Sequence, residues 1–108
     1  MELVRRHVER FNESVRTGDF APMLEGFTDD AELVFEGVPV GPFSGRDAIA
    51  AAYADQPPDD ELDILSLDQR DGEIVAPYSW RRDAGRQSGR MIFTFRDDKI
   101  ARLVVTFE

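Results

Sequence analysis

The stretch that decides the fold is Gly18–Gly37, which reads GDFAPMLEGFTDDAELVFEG. Gly18 predicts the end of a helix, because glycine readily adopts the left-handed conformation that closes many helices. Asp19 can cap a second helix over Phe20–Phe27, and Pro22 lies early enough in it that the missing N–H costs little. The first half of the stretch therefore predicts two helices with a break between them.

The second half of the stretch predicts a turn and then a strand. Asp29 and Asp30 are typical turn residues. In Glu32–Glu36 the side chains alternate, so Leu33 and Phe35 point to one face of the strand. We therefore expect Phe35 to face the core.

Outward from this stretch, Glu2–Thr17 predicts an amphipathic helix. Its charged residues occupy most of one surface, and His7 lies at the edge of the opposite, apolar stripe. The stripe has the spacing of one helix face and consists of Val4, Val8, Phe11 and Val15.

On the other side of the stretch, a loop and a third helix are expected. Gly37–Gly45 holds three glycines and two prolines, a composition typical of an ordered loop. Ser44 or Asp47 then starts a helix that runs from Asp47 to about Asp55. Its apolar face includes Ala48, Ile49, Ala52 and Tyr53.

The remainder of the chain has the two-residue alternation of β-strands. Leu62 and Ile64 share one phase, whereas Leu65 and Leu67 share the other. A change of phase inside a strand indicates either a β-bulge or burial on both faces.

A hairpin turn is predicted at Asp71-Gly72. In the next strand Pro77 indicates an edge position or a bulge, because proline cannot donate a ladder hydrogen bond. One face of that strand carries Ile74, Ala76, Tyr78 and Trp80.

The apolar pattern also predicts the register of the last hairpin. A two-residue loop at Asp97-Asp98 would pair Phe93 with Arg102 and place an arginine among aromatic side chains. A three-residue loop through Lys99 instead gives apolar pairs, Phe93 with Leu103 and Met91 with Val105. We therefore predict the three-residue loop.

Composition limits the function classes. One domain over residues 1–108 is expected from a chain of 108 residues with 42% hydrophobic content. A net charge of -9 argues against nucleic acid as a partner. Without a long apolar run or a signal-peptide pattern, no membrane association and a cytoplasmic location are expected. With no cysteine, thiolate chemistry is excluded.

The chosen register gathers one mixed face on the outside of the sheet. Apolar and threonine side chains alternate there, a character that suits a self-complementary contact. We predict a homodimer through this face, although the same side chains are also tolerated on an exposed surface. The face consists of Ile92, Thr94, Val104 and Thr106.

Helix, helix, strand, helix and then antiparallel strands favour an α+β cone, whose open end is a natural apolar pocket. Three parts of the sequence carry a family resemblance: RTGDFAPMLEGFTDDAELVF (Arg16–Phe35), SGRDAIAAAYA (Ser44–Ala54), and the final strands MIFTF and LVVTF. In these the chain resembles the nuclear transport factor 2-like superfamily, in its SnoaL-like and ketosteroid-isomerase-like branches.

The resemblance covers nearly the whole chain. It implies a single SnoaL-like domain in which three N-terminal helices pack on a strongly curved, mixed but mostly antiparallel sheet, the cone-shaped, cystatin-like α+β barrel. The superfamily contains isomerases, dehydratases, hydrolases, carrier modules and members without known chemistry, so the fold implies no single activity.

Ketosteroid isomerase chemistry needs a carboxylate base and two oxyanion donors, a tyrosine and a protonated aspartic acid. By ungapped alignment with that branch, these positions fall on Phe35, Phe11 and Met91. Apolar side chains can neither accept a proton nor donate a hydrogen bond, so this mechanism is not expected. A slip of one residue would place Glu36 at the base position but would turn Leu33 outward.

The resemblance directs Tyr53, Tyr78, Trp80 and Arg82 toward the cavity. Aromatic bodies with one polar tip suit a small, largely hydrophobic ligand, although the same rings can simply fill the core. Arg82 would reach the rim and bind a carboxylate, unless the strand ends by Arg81; a basic run can also form a solvated hairpin paired with acids. The remaining expected ligand contacts are Phe11, Phe35, Met91 and Phe93.

His7 is the candidate catalytic residue, since it is the only side chain that titrates near neutrality without perturbation. It could act as a general base in an isomerase, cyclase or dehydratase, or be a half-buried histidine at the helix edge. The expected function is binding of a small apolar molecule in the cone. Alternatives are an enzyme that uses His7 and a dimerisation module with a filled cone. No metal site and no cofactor are expected.

Overall fold

The computed structural model describes all residues from Met1 to Glu108. It contains three α-helices, seven strands and one short 3₁₀ turn. The helices are α1 (Glu2–Thr17), α2 (Ala21–Leu24) and α3 (Arg46–Asp55). The strands are β1 (Phe27–Glu36), β2 (Phe43–Ser44), β3 (Leu62–Ile64), β4 (Asp68–Arg70), β5 (Glu73–Trp80), β6 (Gly89–Arg96) and β7 (Lys99–Thr106), and the 3₁₀ turn is Arg81–Asp83.

The strands form one mixed sheet in the order β2-β1-β7-β6-β5-β3, with β4 also paired to β5. Only the pairing of β1 with β7 is parallel; the others are antiparallel. The helices pack on this sheet, so the predicted α+β cone is confirmed. No helix combines the length and the apolar character needed to cross a membrane.

Helix α1 has the predicted bounds. Val4, Val8 and Phe11 are buried, as the stripe requires. Gly18 closes the helix in the left-handed conformation with φ 82°, and its N–H donates to the Ser14 carbonyl oxygen at 2.7 Å.

The predicted end of the second helix and the predicted turn after it are wrong. Helix α2 stops at Leu24, and Phe27 is already the first residue of β1. Asp29 and Asp30 lie inside that strand, where its ladder with β7 is interrupted between Phe27 and Glu32. Their exposed carboxylates pair with arginines of other elements, Arg46 and Arg96 respectively. An irregular part of a long strand thus accommodates two residues that favour turns.

A β-bulge explains the change of phase after Ile64. Ile64 pairs with Tyr78 and Asp68 pairs with Val75, so the segment between these pairs contains one residue more on the β3–β4 side than on β5. Pro77 lies in β5 opposite this irregularity, where its carbonyl accepts a hydrogen bond from the Leu65 N–H at 2.9 Å. The bulge alternative is confirmed.

In the last hairpin the register is confirmed but the loop length is wrong. Met91 pairs with Val105 and Phe93 with Leu103, as predicted. The loop has only two residues, Asp97-Asp98, both with positive φ (51° and 65°) as in type I′ turns. Thr94 pairs with Arg102 while Phe95 pairs with Ile100, so a bulge at Ala101 supplies the shift assigned to a longer loop.

A buried polar contact fixes α1 against the sheet. The Asn12 side chain donates to the Leu62 carbonyl and accepts from the Leu62 N–H, both at 2.9 Å. These two bonds satisfy backbone groups at the start of β3 that lie beside the helix. Asn12 thus joins the N-terminal helix to the edge of the cone.

Candidate functional site

An apolar groove of about 1180 Å³ opens to solvent beside α3. Its walls are the loop between β1 and β2, one side and the C-terminal end of α3, and Phe107, which follows β7. Ten of its fourteen lining residues are hydrophobic. The large apolar side chains that face it are Phe35, Val38, Val40, Phe43, Tyr53 and Phe107.

Small side chains on α3 leave the groove open. Ala48, Ala51, Ala52 and Ala54 all line it, so this wall of the helix consists of methyl groups that do not reach across to the loop. Alanine is also the strongest helix former, which allows such a wall without loss of helical structure.

Aromatic rings build the opposite wall. The Phe35 ring contacts the Phe43 ring edge-on and the Phe107 ring at a tilt, each with centroids 6.2 Å apart. Gly41 makes the approach of the loop possible, because it has φ 82° and an added Cβ would lie 3.2 Å from the Phe43 ring. Val38, Val40 and Phe107 nevertheless remain more than one-third exposed.

Tyr53 supplies a polar group within this apolar surface. Its ring stacks on Phe20 with centroids 5.2 Å apart, and its hydroxyl has no hydrogen-bond partner within the protein. The Tyr53 hydroxyl is protonated at neutral pH, as an ordinary tyrosine is, and burial raises its pKa further. It can therefore donate a hydrogen bond to a molecule in the groove.

His7 lies in a different place. It is only 4% exposed, and its ring meets those of Phe27 and Phe93 edge-on at 5.6 Å. Its Nε2 has no partner. Burial, together with the nearby charge of Arg10, lowers the pKa of His7 to about 4.

The space next to His7 is a cavity of about 40 Å³ that shares no lining residue with the groove. A cavity of this size holds about one water molecule rather than a substrate. The structure therefore places His7 away from the groove, although its ring contacts Phe93, another of the predicted site residues.

Of the expected ligand contacts, the groove brings together Phe35 and Tyr53. Phe11, Met91 and Phe93 are buried in the core instead. Their packing fills the interior of the cone below the groove.

Tyr78 and Trp80 also belong to the core packing. Their rings meet edge-on with centroids 5.5 Å apart, and the centroids of the Trp80 and Phe11 rings are 6.3 Å apart. The Tyr78 hydroxyl donates to the Thr106 carbonyl oxygen at 2.9 Å, so this polar tip is already occupied. Burial, with the charge of Glu108, raises the pKa of Tyr78 to about 12.

The expected position of Arg82 at the cavity rim is wrong. Strand β5 ends at Trp80, and Arg82 lies exposed in the 3₁₀ turn. Its Nε donates to an Asp60 carboxylate oxygen at 3.1 Å, and its Nη2 lies 3.3 Å from the Asp59 carboxylate. These pairs agree with the alternative of a solvated hairpin.

The sequence reasoning missed Val38, Val40, Phe43, Phe107 and the alanine wall of α3 as groove residues. A signal for the wall was present, since residues 48–54 contain five alanines. No sequence period places the loop residues or Phe107, because their position depends on how β1 and β7 pair. No group of three or more histidine, aspartate or glutamate side chains is arranged to hold a metal ion.

Comparisons with solved structures support the architecture. An NTF-2 like protein of unknown function from Burkholderia xenovorans LB400 is 19% identical, with TM-score 0.72 over 99% of this chain and 84% of the other. A SnoaL-like protein of unknown function from Burkholderia thailandensis is 14% identical, with TM-score 0.73 over 100% and 96%. A Sinorhizobium meliloti protein named as a candidate polyketide cyclase is 22% identical, with TM-score 0.65 over 93% of both chains. At these identities the likeness shows the fold alone.

A comparison with the sequences of curated proteins gives no significant match. The family model described as a SnoaL-like domain, however, matches residues 5–103. That match begins in α1 and ends inside β7, and so includes α3 and the loop between β1 and β2, which form most of the groove. The chain therefore belongs to the SnoaL-like domain family.

Proposed function

We propose that this protein binds a small, largely hydrophobic molecule in the groove beside α3. The observation that carries the proposal is an open volume of about 1180 Å³ whose lining is mostly apolar. Known ligand pockets are typically about 300–1,000 Å³ and combine apolar walls with a few polar groups. The groove has this composition, with the Tyr53 hydroxyl as one polar group.

The exposed side chains of the groove support the same proposal. Val38, Val40 and Phe107 are three of the five large hydrophobic residues that remain more than one-third exposed. Exposed apolar side chains that converge on one concavity usually mark a place where something binds. A bound apolar molecule would remove all three from water.

The experiment is an NMR titration of the labelled protein with 1-octanol as an apolar probe. Ala51→Trp places a large ring on the exposed, groove-facing side of α3 and should abolish binding. Ala84→Trp is the matched control, because Ala84 is also exposed, follows the 3₁₀ turn after β5 and does not line the groove. No chemical-shift change near Phe35 and Tyr53 at millimolar probe, or equal effects of both variants, would refute the proposal.

An isomerase, cyclase or dehydratase that uses His7 is the second candidate function. Its support is the unpartnered Nε2 beside a small cavity. It ranks second because the imidazole and the groove have separate surroundings, and a base with a pKa of about 4 abstracts protons weakly near neutral pH. A substrate whose turnover is lost in His7→Ala but kept in Ala51→Trp would reverse the order.

We also propose a homodimer through the outer face of the sheet. Ile92 lies directly opposite Val75 on one side and Val104 on the other, and Val104 in turn lies opposite Val34. Four branched side chains thus form one row across β5, β6, β7 and β1. Thr94 and Thr106 occupy the neighbouring rows of the same face.

Charges around this row favour contact with a second copy. Arg102 pairs with Glu32 at 2.9 Å on one side, and Arg90 lies 3.5 Å from Glu108 on the other. A surface that presents both signs around an apolar centre can meet its own twofold-related copy. Ile92→Asp should give a monomer in sedimentation velocity, whereas the exposed control Thr17→Asp should not; a monomeric unmodified protein at about 100 µM would refute the dimer.

A pure interaction module with a filled cone is the third candidate. The buried rings of Phe11 and Phe93 are consistent with it, since they fill the interior. The open groove at the mouth of the cone favours ligand binding instead. If the dimer forms while the groove takes no probe, the interaction module becomes the better proposal.

A further inference from the structure

We infer that the groove selects ligands that carry a positively charged, hydrogen-bond-donating end, such as an ammonium group on an apolar body. The inference rests on the proposed function and assigns the charge of its ligand. It places the ammonium group at the C-terminal end of α3, where Asp55 lines the groove. Three features of that end support it.

The first feature is the charge of the lining. Asp55 is the only side chain among the fourteen lining residues that is charged at neutral pH, and the lining contains no lysine, arginine or histidine. The chain as a whole carries a net charge of -9. An anionic ligand would find no cation in the groove lining, and Asp55 would repel it.

The second feature is a pair of free backbone carbonyls. Within α3 the carbonyls of Tyr53 and Ala54 would bond to the N–H groups four residues later, but those residues are Pro57 and Pro58, which have none. The N–H of Gln56 donates instead to the Ala52 carbonyl at 3.0 Å. The double proline therefore leaves two hydrogen-bond acceptors at the helix end beside Asp55.

The third feature is the direction of the helix dipole. The C-terminal end of a helix carries a partial negative charge, and cations near it are stabilised. Helix α3 has no basic residue in its last turn to occupy that position. The carboxylate, the free carbonyls and the helix end therefore all favour a cation at one place.

Aromatic walls are compatible with such a ligand. Phe35, Phe43 and Tyr53 present rings to the groove, and the faces of aromatic rings attract ammonium groups as well as apolar chains. The apolar part of the ligand would lie along the alanine wall of α3. A carboxylate of the same length would make the apolar contacts, but it would be repelled by Asp55 and could not donate to the free carbonyls.

The test compares three eight-carbon probes that differ only at the head group: octylammonium, 1-octanol and octanoate. Dissociation constants come from NMR titrations in low salt near neutral pH. We expect octylammonium to bind roughly fivefold or more tightly than octanoate, with 1-octanol between them, as an exposed charge pair allows. Added salt should reduce the difference, because the site is open to solvent.

Variants at Asp55 locate the effect. Asp55→Asn should remove most of the preference for octylammonium, and Asp55→Lys should reverse it in favour of octanoate. Asp47→Asn is the matched control, since it makes the same change in the first turn of the same helix, outside the groove. Both residues are exposed, and circular dichroism checks that each of the three variants remains folded.

The outcomes separate the inference from the function on which it rests. If none of the probes binds, the proposed function fails and the inference with it. If all three bind with equal affinity, or octanoate binds best, the groove binds apolar molecules but the inference is overturned. Equal effects of Asp55→Asn and Asp47→Asn would also overturn it, because they would reflect net charge rather than a site.

Discussion

The stability of the protein should fall as the pH is lowered from about 6.5 toward 4, and His7 should be responsible. His7 is the only histidine, and burial lowers the pKa of its imidazole to about 4 from the usual histidine value of about 6.5. The unfolded chain therefore takes up a proton in this range that the folded chain does not. Protonation favours the unfolded state, so the free energy of unfolding decreases as the pH falls.

The size of the effect follows from the difference between the two pKa values of His7. Relative to neutral pH, the loss in the free energy of unfolding is about 2 kcal/mol at pH 5 and about 3 kcal/mol at pH 4. Arginine partners and backbone hydrogen bonds lower the pKa values of Asp30 and Asp60. These two carboxylates lose their contribution to the free energy of unfolding only when the pH falls to the usual aspartate pKa and below it. The window above about pH 5 therefore isolates the histidine.

The assay is urea unfolding followed by circular dichroism at a series of pH values, with His7→Leu as the comparison. The unmodified protein should show the decrease, and the variant should be nearly flat between pH 6.5 and about 5 because leucine does not titrate. The same slope in both proteins would refute the reasoning. An NMR titration that gives His7 a pKa near 6.5 would refute it as well.

Three further substitutions test the fold. Gly89→Ala should destabilise by about 3 kcal/mol or more, because the added Cβ would lie 1.9 Å from the Thr106 carbonyl oxygen; normal urea stability would show that the strands do not approach this closely. Asn12→Leu should cost about 2–4 kcal/mol by leaving the Leu62 N–H and carbonyl without partners, and a loss below 1 kcal/mol, by the same principle, would contradict the role of this contact. Asp98→Gly should increase the free energy of unfolding by about 0.5 kcal/mol and so raise the melting temperature slightly, because glycine relieves the strain of φ 65°. A lower melting temperature would count against the type I′ turn.

The elements of this fold could be predicted where burial depends on nearby residues in the sequence. The stripe of α1 places Val4 and Phe11 in the core because a helix repeats every few residues. The pairing of Phe93 with Leu103 was found because an arginine opposite it would be costly. The predicted loop length was wrong in the same hairpin. A two-residue loop with a bulge and a three-residue loop without one produce the same pairing, and the apolar pattern does not distinguish between them.

Predictions failed where a distant partner decided the local structure. Asp29 lies in a strand because β1 pairs on both sides of it with the distant strand β7. Arg82 was misplaced because β5 ends two residues before it, and the ends of strands follow from pairing rather than from alternation. The family resemblance directed Phe35 and Tyr53 toward a cavity, and both line the groove; Phe107 was not expected there, because its position requires the pairing of β7 with β1.

The parallel pairing of β1 with β7 also has a kinetic consequence. It joins an early strand to the last one; the ion pair between Glu32 and Arg102, for instance, connects residues with a sequence separation of 70. Contacts between residues so far apart in the sequence form slowly, because closing the long intervening loop costs conformational entropy. During synthesis, β1 can complete its central pairing only after β7 has left the ribosome. The apolar walls contributed by Phe35 and Phe107 would therefore assemble last, and until then the nascent chain would expose an unpaired strand edge.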